Sequence, residues 1–110
     1  GSATFTVTAN GSSAYRFDGH GFPAGTSGDN PTLYLKKGHT YSFKNTTSGH
    51  PFRIQSTTGT SGTVYSTGVT NNNASGPNGV VVFHVPMDAP ATLYYQCSSH
   101  GSMVGTITIS

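Results

Sequence analysis

Apolar and polar residues alternate with period two along short stretches of this chain, and no window carries an apolar stripe at helical spacing. A period of two puts alternate side chains on one face of a strand. Thr4-Phe5-Thr6-Val7-Thr8 is the first such stretch. The turn dipeptide Asn10-Gly11 separates it from Ala14-Tyr15-Arg16-Phe17, so the chain is expected to open on a hairpin. Further strands are predicted over 32–35, 39–45, 50–54, 79–85, 93–97 and 104–109, with a short one over 63–65. Tyr41 and Phe43 fall on one face of their strand. The run Val80-Val81-Val82-Phe83 is the strongest strand signal in the chain. About eight short strands with turn residues at regular intervals predict an all-β fold, a β-sandwich.

The connecting segments carry less information. Residues 18–30 hold Gly19, Gly21, Gly25 and Gly28 and end at Pro31. This loop is no phosphate cradle, because no helix follows it and the G-x-x-x-x-G-K-[ST] pattern is missing. Residues 56–78 are rich in Thr, Ser, Gly and Asn and read as a flexible surface loop.

Composition narrows the class. With 7% charged residues and 15 glycines the chain could be disordered, but 11% aromatic residues in alternating runs predict order. Its 110 residues make one domain, 1–110, in which Gly1 and Ser2 read as a cloning remnant. Arg16, Lys36, Lys37, Lys44 and Arg53 are scattered, which excludes a nucleic-acid stripe. No apolar run is long enough for a membrane span. The Ser/Thr/Asn-rich, charge-poor composition points to an extracytoplasmic setting, periplasmic or secreted, or to a virion surface.

The chemistry lies in Tyr94-Tyr95-Gln96-Cys97-Ser98-Ser99-His100-Gly101-Ser102-Met103. Cys97 is the single cysteine, which excludes an intrachain disulfide and any CxxC zinc or iron–sulfur site. Thiolate, imidazole and thioether are soft to borderline ligands and suit copper. Cys97, His100 and Met103 share one tight loop between two predicted strands. With one further His they would make a trigonal two-His, one-Cys site for one copper ion, with a weak axial Met. Four histidines are open for that place. His20 sits in the Gly-rich loop and reads as solvent-facing. His39 starts a strand after a turn and reads as a surface residue. His84 is placed in a strand facing opposite to Val82, at the surface or an edge. His50 follows a loop and opens an apolar strand.

On this loop, and on the Met103-Val104-Gly105-Thr106-Ile107 strand after it, the chain resembles the cupredoxins, small copper proteins. Two residues between each ligand pair is the spacing of the amicyanin branch. The stretch Lys37-Gly38-His39-Thr40-Tyr41-Ser42-Phe43-Lys44-Asn45 is similar to the family's strand leading to its first His ligand. The resemblance implies a Greek-key sandwich and selects His50 as the remaining ligand. It implies a mononuclear type 1 copper centre that passes single electrons. It excludes an enzyme, since four protein ligands leave no open position for substrate. The single Cys excludes the dinuclear centre of one branch. The resemblance also makes His100 the electron exit toward a redox protein partner. Phe52 and Val104 are expected to flank it in an apolar contact patch, and the isolated domain is expected to be a monomer. Three carboxylates cannot form an acidic docking patch. The Gly49 carbonyl stands where the family has a weak axial neighbour. Pro51 stands where many members have an Asn that ties the two ligand loops together, so that tie is expected to be missing or replaced. An alternative is set by similar segments in large structural proteins of marine phages. These carry a Gly-His-Pro stretch and the same Cys–His–Met end, and they suggest a copper-binding module without a dedicated redox partner.

Overall fold

The computed structural model describes residues 1–110. Nine strands follow one another: β1 (Ser2–Asn10), β2 (Ala14–Gly19), β3 (Leu33–Leu35), β4 (Thr40–Asn45), β5 (Phe52–Gln55), β6 (Val69–Thr70), β7 (Gly79–His84), β8 (Thr92–Cys97) and β9 (Val104–Ile109). They form two sheets, ordered β2-β1-β4-β7-β6 and β3-β9-β8-β5. The chain changes sheet on entering β3, β4, β5, β6 and β8, which winds it around a shared core. β1 runs parallel to β4 and β3 parallel to β9, and the remaining pairs are antiparallel. No helix is long and apolar enough to cross a membrane.

The alternation read from the sequence decides which side chains point inward. Phe5 and Val7, Tyr15 and Phe17, Tyr41 and Phe43, and Val81 and Phe83 are buried from one sheet. Leu33 and Leu35, Phe52 and Ile54, Leu93, Tyr95 and Cys97, and Ile107 and Ile109 are buried from the other. The two sets meet in a stack of rings. Phe5 lies 5.0 Å from Phe43, Phe43 lies 5.0 Å from Phe52 across the sheets, and Phe52 lies 5.7 Å from Tyr95. Offset and tilted aromatic pairs of this kind add to the apolar burial.

Several expectations are corrected. Strand β1 runs past the expected Thr8 to Asn10, and the hairpin turn after it is closed by Ser13 N–H donating to Asn10 O at 3.1 Å, with Gly11 at a φ of 55°. At its other end β1 starts before the expected Thr4, at Ser2, which pairs with Thr40, whose N–H donates to Gly1 O at 2.9 Å. No strand forms over 63–65. Val64 makes one isolated bridge to Gln55, and the strand of this region is β6, too short for its periodicity to be read. His84 does not face opposite to Val82. Residues two apart in a strand share a face, and both point away from the core that buries Val81 and Phe83. Phe52 is no surface residue: it is fully buried, while Val104 is half-buried.

Residues 56–78 are held by side-chain hydrogen bonds instead of hanging free. Asn72 accepts from Ile54 N–H at 2.9 Å and donates to Tyr65 O at 3.1 Å. The stretch around Gly59 lies against Gln55 and Gln96. These two side chains alternate with inward-facing Ile54, Tyr95 and Cys97, so they stand on the outer face of their sheet, yet both are fully buried. The 57–62 turn covers that face.

Candidate metal centre

Cys97 is the last residue of β8, in register with Phe52 of β5, and its side chain follows Leu93 and Tyr95 into the sandwich. The chain then turns at once. Met103 N–H donates to His100 O at 3.2 Å and Cys97 N–H donates to Met103 O at 2.9 Å. These two bonds close the 98–103 loop and feed it into β9. His50 comes from the β4–β5 connection, where Gly49 takes a φ of 77°, a left-handed turn that favours glycine.

These elements bring three donor atoms together. His50 Nδ1 lies 3.2 Å from His100 Nδ1, and Cys97 Sγ lies 3.9 Å from the first and 3.6 Å from the second. Three atoms so spaced lie on a circle of radius about 2.1 Å, within the roughly 2.0–2.3 Å at which imidazole and thiolate ligands sit from a zinc-sized divalent ion. The group is thus suited to one metal ion, and its soft thiolate with two imidazoles suits copper. Cys97 is fully buried, whereas both histidines are half-buried and reach the surface. Partial burial, and after it the neighbouring His100, hold the His50 imidazole below its usual pKa. Both effects favour the neutral imidazole, the form that binds a metal.

Met103 is buried in the core at the foot of the same loop. The other three histidines stand elsewhere. His20 is exposed with its ring 5.5 Å from Phe5, and half-buried His39 packs against Tyr41 at 6.4 Å. His84 is exposed, with Nδ1 2.8 Å from Thr40 Oγ1.

The site rests on polar residues that the sequence did not single out. Asn45, buried at the end of β4, donates to His50 O at 2.8 Å and to Ala74 O at 3.0 Å. Its carbonyl accepts from Thr47 N–H at 2.9 Å and from the Thr47 hydroxyl at 2.6 Å. Tyr15 Oη, from β2, lies 2.9 Å from both His50 O and Pro51 O. Burial, and then the adjacent Cys97, push the Tyr15 phenol pKa up, so it remains a donor. Ser98 N–H approaches Pro51 O at 3.4 Å, a direct contact between the two ligand loops. Proline at 51 has no N–H or polar side chain to offer. The tie between the loops is instead made to its carbonyl, from Ser98 N–H, while the His50 carbonyl is held by Asn45 and Tyr15. Asn45 and Tyr15 did carry a signal: each continues an inward-facing apolar set, Tyr41–Phe43–Asn45 and Tyr15–Phe17, with a polar group that burial obliges to find a partner.

A two-sheet β-sandwich with a Cys–His–Met loop between its last two strands, and a second His delivered from the β4–β5 connection, has the cupredoxin fold. Among solved structures, reduced rusticyanin aligns over 99% of this chain and 78% of its own, with a TM-score of 0.56 and 20% identity. Rusticyanin from Thiobacillus ferrooxidans aligns over 99% of this chain and 76% of its own, with a TM-score of 0.56 and 21% identity. At such identity the likeness concerns the fold. No protein-family model matches the chain, and no curated protein matches it in sequence.

Proposed function

We propose that this protein binds one copper ion through His50, Cys97 and His100, with Met103 as a weak axial ligand and the Gly49 carbonyl as a distant neighbour, and that it transfers single electrons. The observation that carries the reading is the convergence of His50 Nδ1, His100 Nδ1 and Cys97 Sγ around one point. Copper bound there would supply the one-electron couple between Cu(I) and Cu(II). The chain's own part is to hold the ligands in one arrangement through both states. Buried Cys97 is fixed by the β8 backbone, and His50 by Asn45 and Tyr15. Half-buried His100 gives the route to the surface, where a redox protein partner docks. The face it meets is small and polar, built from Ser98, Ser99, Gly101 and Ser102.

On this reading the protein is a monomeric carrier, not an enzyme, and works outside the cytoplasm. The test is a titration of the metal-free protein with Cu(II), followed in the visible range. An intense thiolate-to-copper band saturating at one equivalent is expected. A weakly bound complex with only d–d absorption would sink the reading.

A further inference from the structure

Gln96 immediately precedes Cys97 and is fully buried on the outer face of its sheet. Its Nε2 donates to Cys97 O at 3.0 Å and to His100 O at 3.1 Å, with the carbonyls of Gly101 and Met103 at 3.4 Å. An amide nitrogen has two hydrogens, so the two shorter contacts take them and the longer ones complete a ring of carbonyls. On the other side, Oε1 accepts from Gly59 N–H at 2.9 Å. The orientation is fixed by this environment. A flipped amide would put its oxygen among carbonyls and leave Gly59 N–H facing a donor. One buried side chain thus joins the ligand loop to the 57–62 turn.

That turn is itself anchored. Gln55 Nε2 donates to Thr57 O and Gly59 O, both at 2.9 Å. Arg53, in register with Gln96, donates to Gln55 Oε1 at 2.7 Å and to Thr60 O at 2.7 Å. Gly62 closes the turn with its N–H on Gly59 O at 3.0 Å. It has no room for a side chain: a Cβ there would lie 2.6 Å from Thr57 O and 2.8 Å from Thr58 O.

We propose that Gln96 is a positioning residue for the metal centre, through which the 57–62 turn sets the place of the His100 loop. The proposal rests on the copper reading above. The test compares the unaltered chain with Gln96→Met, which keeps the volume and removes every hydrogen bond of the side-chain amide. It adds Gly62→Ala, which touches no ligand and displaces the turn. Cu(II) affinity is measured by competition with a chelator, the visible and EPR spectra are recorded, and amide hydrogen exchange is followed in the metal-free proteins.

For Gln96→Met we expect copper affinity to fall about 10–100-fold, as for other residues that orient metal ligands, with a shifted or broadened charge-transfer band. Gly59 and Met103 amides should exchange faster in the metal-free variant. Gly62→Ala should move the same signals in the same direction, less far. Lower thermal stability with affinity and band unchanged in both variants would overturn the proposal, because Gln96 would then only fill space and satisfy carbonyls. If Gln96→Met does not fold, Gly62→Ala decides alone. A wild-type protein without the charge-transfer band would refute the copper reading. In that case amide exchange at Met103 still decides whether Gln96 couples the turn to the loop.

Discussion

The Tyr15 hydroxyl on β2 donates to the carbonyl of His50, across 35 residues of sequence. It joins the edge of one sheet to a loop that supplies a metal ligand from the other side of the core. Removing the hydroxyl does not strand the acceptor, since Asn45 Nδ2 still donates to His50 O at 2.8 Å. Tyr15→Phe is therefore expected to cost only about 0.5–1.5 kcal/mol, the worth of one ordinary hydrogen bond. The charge-transfer band should survive. Urea denaturation with a visible spectrum at each step checks both halves.

Asn45 should matter more. Its side chain makes four bonds, and one partner, Thr47 N–H, is a buried backbone donor. In Asn45→Ala that N–H loses its acceptor, and an unsatisfied buried group costs about 1–3 kcal/mol. The variant should be less stable than Tyr15→Phe and should bind copper more weakly, because His50 loses its shorter support. An Asn45→Ala protein as stable as Tyr15→Phe would show that water or a rearranged loop satisfies Thr47.

The ligand set predicts a sharp division among substitutions. Cys97→Ser should abolish the charge-transfer band, since a hydroxyl is neither soft nor readily ionised. His50→Ala and His100→Ala should each destroy the native spectrum. His20→Ala, His39→Ala and His84→Ala should leave it intact, because none of the three lies in the cluster. Bleaching by His84→Ala would contradict the assignment directly.

The main sheets were legible because their burial is one-sided. Wherever a strand has a core face, as in Phe5–Val7 or Leu93–Tyr95–Cys97, period two records it. The ligand loop was legible because three metal-binding residue types sit close together between two such strands. Gln55 and Gln96 were not: alternation places them outward, and only the path of the 57–62 turn covers them. That turn has no periodicity to read, since its order comes from side-chain bonds to Arg53, Gln55 and Gln96. Phe52 is no part of the surface around His100, because its phase with Ile54 commits it to the ring stack of the core.

Met103 provides the last prediction. Its side chain is fully buried at the foot of the loop that holds Cys97 and His100. A thioether is a soft, weak donor that favours Cu(I) over harder ligands. Met103→Leu conserves volume closely and leaves two nitrogens and one thiolate, still a trigonal set. The variant should keep copper and colour, and its reduction potential should rise, because Leu donates nothing to Cu(II) and makes the surroundings more apolar. Met103→Gln should move the potential down, because an amide oxygen is a harder donor and stabilises Cu(II). Burial of a new polar group should also make the Gln variant the less stable of the two. If Met103 were only a packing residue, both substitutions would change stability while the potential stayed in place. Voltammetry on the three proteins separates the cases: opposite shifts for Leu and Gln support axial ligation, and three equal potentials reduce the set to His50, Cys97 and His100.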